Sequence, residues 1–285
     1  MNKILITGAL GNVGAEVVKQ LQREGLAIRA ADLSVEKIRQ RFGDSVEAVP
    51  FDFAQEETFG PALASVKRLF LMRPPHITDV KRIMWPFLAA AQSAGVEQVV
   101  FLSLIGIEQN KRVPHYQVEQ YLRGSAMSWT FLRASFFMQN LSGTHRQEIR
   151  ERHELFVPVG RGKTSFIDVR DIAAVAAVAL TQPGHENQAY DLTGAAALDY
   201  DEVATILSQA LGHTIHYRNP SLPAFVWQTV RGGTPLPFAL VMAYLYTQTR
   251  RGMSAFTTHE VERLLGRPPI TLHQFVEDYR QQWLT

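Results

Sequence analysis

The segment Thr7-Gly8-Ala9-Leu10-Gly11-Asn12-Val13-Gly14 carries three glycines at three-residue spacing, directly after a short β-type run, Lys3–Ile6. Beyond it Val13, Val17, Val18 and Leu21 recur at helical spacing up to Gly25, a good helix stop. A strand–glycine turn–helix unit suits a dinucleotide pyrophosphate. Side chains in the turn would block close approach of the backbone, and the helix N-terminus offers free N–H groups with a partial positive charge. The simpler alternative is a glycine-rich β-to-α turn with no ligand, and the position between a strand and a helix argues against it. Asp32 stands eighteen residues after Gly14, at the end of a second predicted strand, Leu26–Ala31. An acidic side chain there hydrogen-bonds the adenosine ribose and repels a 2′-phosphate, a weak preference for NAD over NADP. Lys37, Arg39 and Arg41 are a cationic counterweight, and a plain turn residue before Ser34 is the alternative role for Asp32.

His115 and Glu119 follow Pro114 and lie four apart, on one helix face. A histidine oriented by a carboxylate one turn away titrates near neutral pH and can move a proton. The competing reading is a packing role: a histidine capping the helix start and tied to Glu119. Both stay open at this point.

Other chemistries fare worse. With no cysteine, disulfides, thiolate catalysis and zinc ribbons are excluded. The nine histidines show no metal-ligand spacing, and His213 and His216 point to opposite faces of a predicted strand. Asp168 and Asp171 precede an alanine-rich helix, where capping and dipole compensation account for them. No Gly-x-Ser-x-Gly elbow is present. A cationic cluster, from His145, Arg146, Arg150 and Arg152 to Arg161 and Lys163, is interleaved with Glu148, Glu151 and Glu154, which reads as a solvated helix face.

The elements that must position these residues alternate. Predicted strands Ala48–Phe53, Arg68–Leu71, Gln98–Leu102 and Trp129–Leu132 continue the first two, and a helix is predicted from Ile77 to Gly95. Near-continuous apolar strands alternating with helices predict an α/β fold: a doubly wound parallel sheet of Rossmann type with a smaller, mainly C-terminal α/β lobe. Residues 1–150 are expected to form the nucleotide-binding domain, completed by parts of 160–195, and 151–285 the interleaved second lobe. The 285 residues, 46% hydrophobic with net charge +2, fit a globular protein with a sizeable core and argue against a nucleic-acid partner. The apolar segment Phe238–Tyr246 is too short to span a bilayer and is closed by Thr249, Arg250 and Arg251. A cytoplasmic protein with no membrane partner is the expectation.

The glycine pattern resembles that of atypical short-chain dehydrogenases, and further segments resemble the NmrA-like family, which includes NAD(P)H quinone reductases and triphenylmethane reductase. They are Phe70–Pro75, His115–Glu119, Trp129–Leu141, Phe166–Ala173 and the tail Glu262–Pro269 followed by Phe275. The resemblance implies an NAD(P) site along the carboxyl edge of the sheet and a substrate cleft under the smaller lobe. It implies that Gly8, Gly11, Asn12, Val13 and Gly14 cradle the pyrophosphate and Asp32 meets the ribose. Asp52 and Phe53 would border the adenine, Arg73 and Pro74 would pass beside the cofactor, and Ser103 would lie near the nicotinamide ribose. Phe136, Phe137, Met138 and Asn140 would line the substrate pocket; three consecutive large residues cannot all face inward on a helix. Trp227, Phe238 and Tyr244 close that cleft or merely pack the lobe.

One departure matters. Typical short-chain dehydrogenases pair Tyr-x-x-x-Lys for proton donation. Here Tyr116 is followed by Gln120 and Tyr121 by Ser125, and no lysine occurs between Lys111 and Lys163. The resemblance therefore implies reduction of a quinone-like or conjugated electrophile, which needs hydride more than a positioned acid, with His115 and Glu119 as the candidate catalytic pair. The alternative is a non-catalytic NAD(P) redox sensor that binds a regulatory protein. A homodimer is left open.

Overall fold

The computed structural model describes residues 3–111 and 113–284. The strands are β1 (Lys3–Thr7), β2 (Ile28–Asp32), β3 (Glu47–Pro50), β4 (Val66–Leu71), β5 (Gln98–Leu104) and β6 (Ser128–Ala134). They are followed by β7 (Glu154–Phe156), β8 (Thr164–Ser165), β9 (Gln188–Leu192), β10 (Ala197–Leu198) and β11 (His216–Arg218). Helices α1 (Asn12–Arg23) and α2 (Val35–Phe42) connect the first three strands; other helices are given by their residues.

Seven strands form one sheet in the order β3-β2-β1-β4-β5-β6-β9, and every pairing in it is parallel. The order reverses between β1 and β4, so the glycine turn that follows β1 sits at the switch point of a doubly wound sheet. Parallel strands covered on both faces must be apolar throughout, and Leu5, Ile6, Leu69, Phe70, Val99, Val100 and Phe131 are fully buried. Phe51, Phe53, Phe59 and Phe87 meet edge to face, at 4.7 Å for Phe51 and Phe53 and 5.3 Å for Phe53 and Phe87. Such geometry adds to the transfer free energy of about 1.5–3 kcal/mol per buried large side chain.

Two predicted elements differ. The strand expected over Ala48–Phe53 stops at Pro50, and Phe51 and Phe53 turn into the aromatic cluster instead. The helix expected from Ile77 is two pieces, Val80–Ile83 and Trp85–Ser93. Pro86 is the cause: it has no N–H for the carbonyl four residues back, and its ring crowds that turn.

The chain forms two compact units, 1–134 with 169–192 and 263–266, and 135–168 with 193–262 and 267–285. The first unit thus stops at Ala134, the end of β6, and takes back the helix Val169–Thr181 and β9. The second has two small sheets, β8 with β10 antiparallel and β7 with β11 parallel, and a core of its own that includes Leu155, Tyr200, Leu207, Tyr246 and Phe275.

Candidate functional site

The turn after β1 is built by its glycines. Gly8 has φ +63°, the left-handed region that glycine enters without cost. A Cβ on Gly14 would lie 2.2 Å from the Gly8 carbonyl oxygen, so α1 can start this close to the turn only with glycine there. Gly11 is the N-cap of α1; it offers no side-chain acceptor, and the first turn carries no acidic residue. The leading N–H groups of α1, from exposed Asn12 and buried Val13, are therefore left for an anion. Among the described residues the turn and helix start thus fit a bridging diphosphate.

The Asp32 carboxylate braces this turn. Leu10 N donates to its Oδ2 at 2.9 Å and Leu33 N to its Oδ1 at 2.8 Å. Arg41 Nη1 donates to the Leu10 carbonyl at 2.9 Å, so an acid and a cation flank the same residue of the turn. Of the cations Lys37, Arg39 and Arg41 that could reach a phosphate, Arg41 is thus held at the turn. The Met72 side chain, just past β4, packs over Gly8 and Gly11 and was not anticipated at all. Asp52 caps its own turn, accepting from Ala54 N at 2.9 Å, while the Phe53 ring is held in the aromatic cluster.

Arg73 follows β4. Its Nη1 donates to the carbonyls of Ile77 at 2.6 Å, Pro74 at 2.8 Å and Pro75 at 3.1 Å, and its Nε reaches His115 Nε2 at 3.4 Å. Burial pulls the guanidinium down to about 10. Burial, and then the charge of Arg73, pull His115 down to about 3, so its imidazole is neutral throughout the physiological range. With Nε2 accepting, the ring proton sits on Nδ1.

The expected pairing of His115 with Glu119 does not form. Glu119 is buried and engaged elsewhere: Arg133 Nη2 donates to its Oε2 at 2.8 Å, Arg133 Nε to its Oε1 at 3.0 Å, and Ser103 Oγ to the same Oε1 at 2.7 Å. Arg133 also reaches Glu108. Burial lowers the Arg133 pKa, but the hydrogen bond and charge of Glu119, aided by Glu108, leave it raised above the ordinary value. The physical reason for the correction is competition. A bidentate charged fork from the neighbouring strand outcompetes a neutral histidine one turn away. Ser103 is tied into this node as a donor, and the node locks β5, β6 and the helix Pro114–Arg123 together. Arg133 was not expected as a site residue, although it stands at the end of a buried strand and within the segment Trp129–Leu141 that carries the family resemblance.

In the second unit the segment 136–140 is extended at its start, because Phe137 pairs in parallel with Ile167. Phe136, Phe137 and Asn140 are half-buried, whereas Met138 is 2% exposed and belongs to the core. Gln139 Nε2 donates to Asp168 Oδ1 at 2.9 Å. The cationic cluster does not form one solvated face. His145 is buried, 2.7 Å from Glu148 Oε1 and 2.6 Å from the Tyr246 hydroxyl, and Arg161 and Lys163 lie beyond the helix Arg146–Arg152.

With this geometry in hand, residues 1–265 match the sequence model of the NmrA-like family. The chain belongs to the NmrA-like family. It is 36% identical over 278 residues to the NAD(P)H azoreductase of Xenophilus azovorans, covering 96% of each chain. It is 25% identical over 279 residues to quinone oxidoreductase 2 of Escherichia coli, covering 96% of this chain and 97% of that one. The crystal structure of the Citrobacter sp. triphenylmethane reductase complexed with NADP(H) superposes with a TM-score of 0.84 at 26% identity, over 98% of this chain and 99% of that one.

Proposed function

We propose that this NmrA-like protein is an NAD(P)H-dependent reductase that passes hydride to a quinone-like or conjugated aromatic electrophile. The observation that carries the reading is the uncapped, acid-free start of α1 behind a left-handed Gly8 at the sheet's switch point. The azo, quinone and triphenylmethane reductases named above support the class of acceptor.

A bound nicotinamide supplies the hydride. The backbone N–H groups of Asn12 and Val13 would hold the diphosphate, while Gly11 N donates within the turn to the Gly8 carbonyl at 3.0 Å and Asp32 keeps Leu10 in place. Arg73 is a positioning residue for the loop 73–77, and His115, neutral, accepts from it rather than giving up a proton. Glu119, fully engaged by Arg133 and Ser103, is likewise no free acid. Acceptors whose reduced form is stabilised by delocalisation suit such a site, because a strong acid is not required at the moment of transfer. Asp32 supports a slight preference for NADH, which Arg41 beside it offsets.

The test follows oxidation of NADH and of NADPH by the purified chain with a quinone, an azo dye and a triphenylmethane dye as acceptors. Turnover with at least one acceptor, lost in Gly11→Val, is the expected result. Tight coenzyme binding without turnover on any of them would overturn the reductase reading in favour of a redox-sensing role. Absence of coenzyme binding would overturn both.

A further inference from the structure

One region is left unused by this reading. Among the described residues thirteen large hydrophobic side chains are exposed, and ten of them fall between Trp227 and Phe256. They sit mainly on two helices, Leu222–Arg231 and Leu236–Arg250. The second is packed inward through Ala239, Ala243 and Tyr246, yet Leu236, Leu240, Val241 and Leu245 face outward, Leu240 at 53% exposure. No charged residue occurs from Leu236 to Thr249. A helix apolar on all sides is normally covered on all sides.

What surrounds this face decides its partner. From Val203 to His259 there is no aspartate or glutamate, in a chain where 27 of 285 residues are acidic. The charges that remain are four exposed arginines: Arg218 on β11, paired with Glu154 at 3.6 Å, and Arg231, Arg250 and Arg251 at the ends of the helices. Arg231 lies over the Trp227 ring at 5.1 Å. At the end of the second helix Arg161, Lys163, Arg250 and Arg251 line one cleft. Gly162 makes that clustering feasible, since a Cβ there would lie 2.4 Å from the Thr249 carbonyl oxygen and would push the loop away from the helix end. Of the four cations, Lys163 has a carboxylate partner, Glu202 at 3.4 Å; among the described residues no carboxylate lies within ion-pair distance of the other three.

We infer that this helix pair is a docking surface for an anionic phospholipid bilayer. The apolar face enters the headgroup–acyl boundary with Trp227 at its edge, and the Arg161–Lys163–Arg250–Arg251 cleft takes lipid phosphates. Apolar and aromatic residues flanked by cations are the pattern of a helix that lies in the interface. At fifteen residues the longer helix reaches about 22 Å, short of the roughly 30 Å hydrocarbon core, so it lies on the bilayer and does not cross it. A second copy of the chain fits less well. It would bring arginines against arginines, and the carboxylates that line a cleft beside Gln228 and Met242, Glu148 and Glu151, already pair with His145, Arg152 and Arg150. The inference departs from the expectation of no membrane partner, which rested on the absence of a spanning segment. It is independent of which acceptor is reduced.

The experiment is flotation of the purified chain with phosphatidylcholine vesicles, with and without phosphatidylglycerol, in the absence of coenzyme. The chain is expected to float with the anionic vesicles and to be released by salt. Leu240→Glu with Val241→Glu should abolish flotation. Arg161→Gln with Arg251→Gln should weaken partitioning roughly 30-fold, at about one cation's surface attraction each. Far-UV circular dichroism checks that both variants fold. No flotation, or equal flotation with neutral vesicles, would overturn the inference. So would dimers in sedimentation velocity that Leu240→Glu disperses while vesicles are ignored, which assigns the face to a second copy. Thermal stabilisation by inorganic phosphate without flotation would reduce the cleft to a free-anion site.

Discussion

Arg73 and Arg133 both lie at the carboxyl side of the central sheet, one just past β4 and one within β6, and they are used in opposite ways. Arg133 is enclosed by carboxylates, Glu119 in a bidentate fork and Glu108 beside it. Arg73 is also largely buried, but its partners are three carbonyl groups and a neutral histidine. The first arrangement cancels its charge and locks elements together. The second keeps a net positive charge near the glycine turn and lowers the guanidinium's own pKa through burial. The difference teaches that a carboxylate partner cancels a buried cation's charge, whereas carbonyl partners satisfy its N–H groups and leave the charge in place.

The largest effect expected from this contrast is on stability. Arg133→Met strands the buried Glu119 carboxylate and should cost about 3–5 kcal/mol in urea unfolding. Pairing it with Glu119→Leu should recover much of that loss, since no buried charge is then left unpaired and Glu108 is solvent-exposed. If Arg133→Met instead weakens coenzyme binding and spares stability, the two roles are exchanged.

The matching change, Arg73→Met, should leave unfolding far less affected and weaken NADPH binding about tenfold to a hundredfold by calorimetry, the range for losing a hydrogen bond to a charged group. A chain that unfolds but still binds coenzyme with unchanged affinity would make Arg73 a second lock.

His115 sharpens the comparison through pH. Its folded pKa is depressed from 6.5 to about 3. The unfolded chain therefore takes up a proton below 6.5 that the folded chain refuses. The contribution is present above that pH and is lost as pH falls toward 3, at about 1.4 kcal/mol per pH unit once the unfolded histidine is fully charged. In His115→Gln that component of the slope should vanish from unfolding curves taken between pH 4 and 7. An unchanged slope would mean that the imidazole is charged beside Arg73.

The smallest effect concerns Asp32. Asp32→Asn keeps the size of the side chain but only one of its two acceptors, so either Leu10 N or Leu33 N loses its partner, and it removes a charge that is only partly buried. The ratio of NADPH to NADH affinity should rise by at most about fivefold, in keeping with a solvent-screened interaction. A larger change would show that Arg41 contributes little to phosphate binding.

Much of the nucleotide-binding half was readable along the chain. The glycine turn, α1 and the strands depend on local spacing: where glycine must stand, where apolar residues recur, where Gly25 stops a helix. The Pro86 break was also local but was passed over, because the apolar period of the helix face continues across it. The expected contact between His115 and Glu119 fails for a different reason. Positions four apart share a helix face, and for His115 and Glu119 the spacing is correct, yet their partners come from β4 and β6. A helix face says which residues point the same way and nothing about what else arrives there.

The second unit shows the same limit. The apolar run Phe238–Tyr246 and the cations near Arg161 were visible separately, and the glycine that brings Arg161 to the end of the helix was not.

Sequence by itself determined the α/β architecture, the glycine turn between β1 and α1 and the absence of a Tyr-x-x-x-Lys pair, because each is a matter of residue type at fixed short separation. Tertiary structure alone decided which buried charge is cancelled and which is left over. Ion pairing depends on distance through space, and strands that lie side by side in the sheet are separated by dozens of residues along the chain.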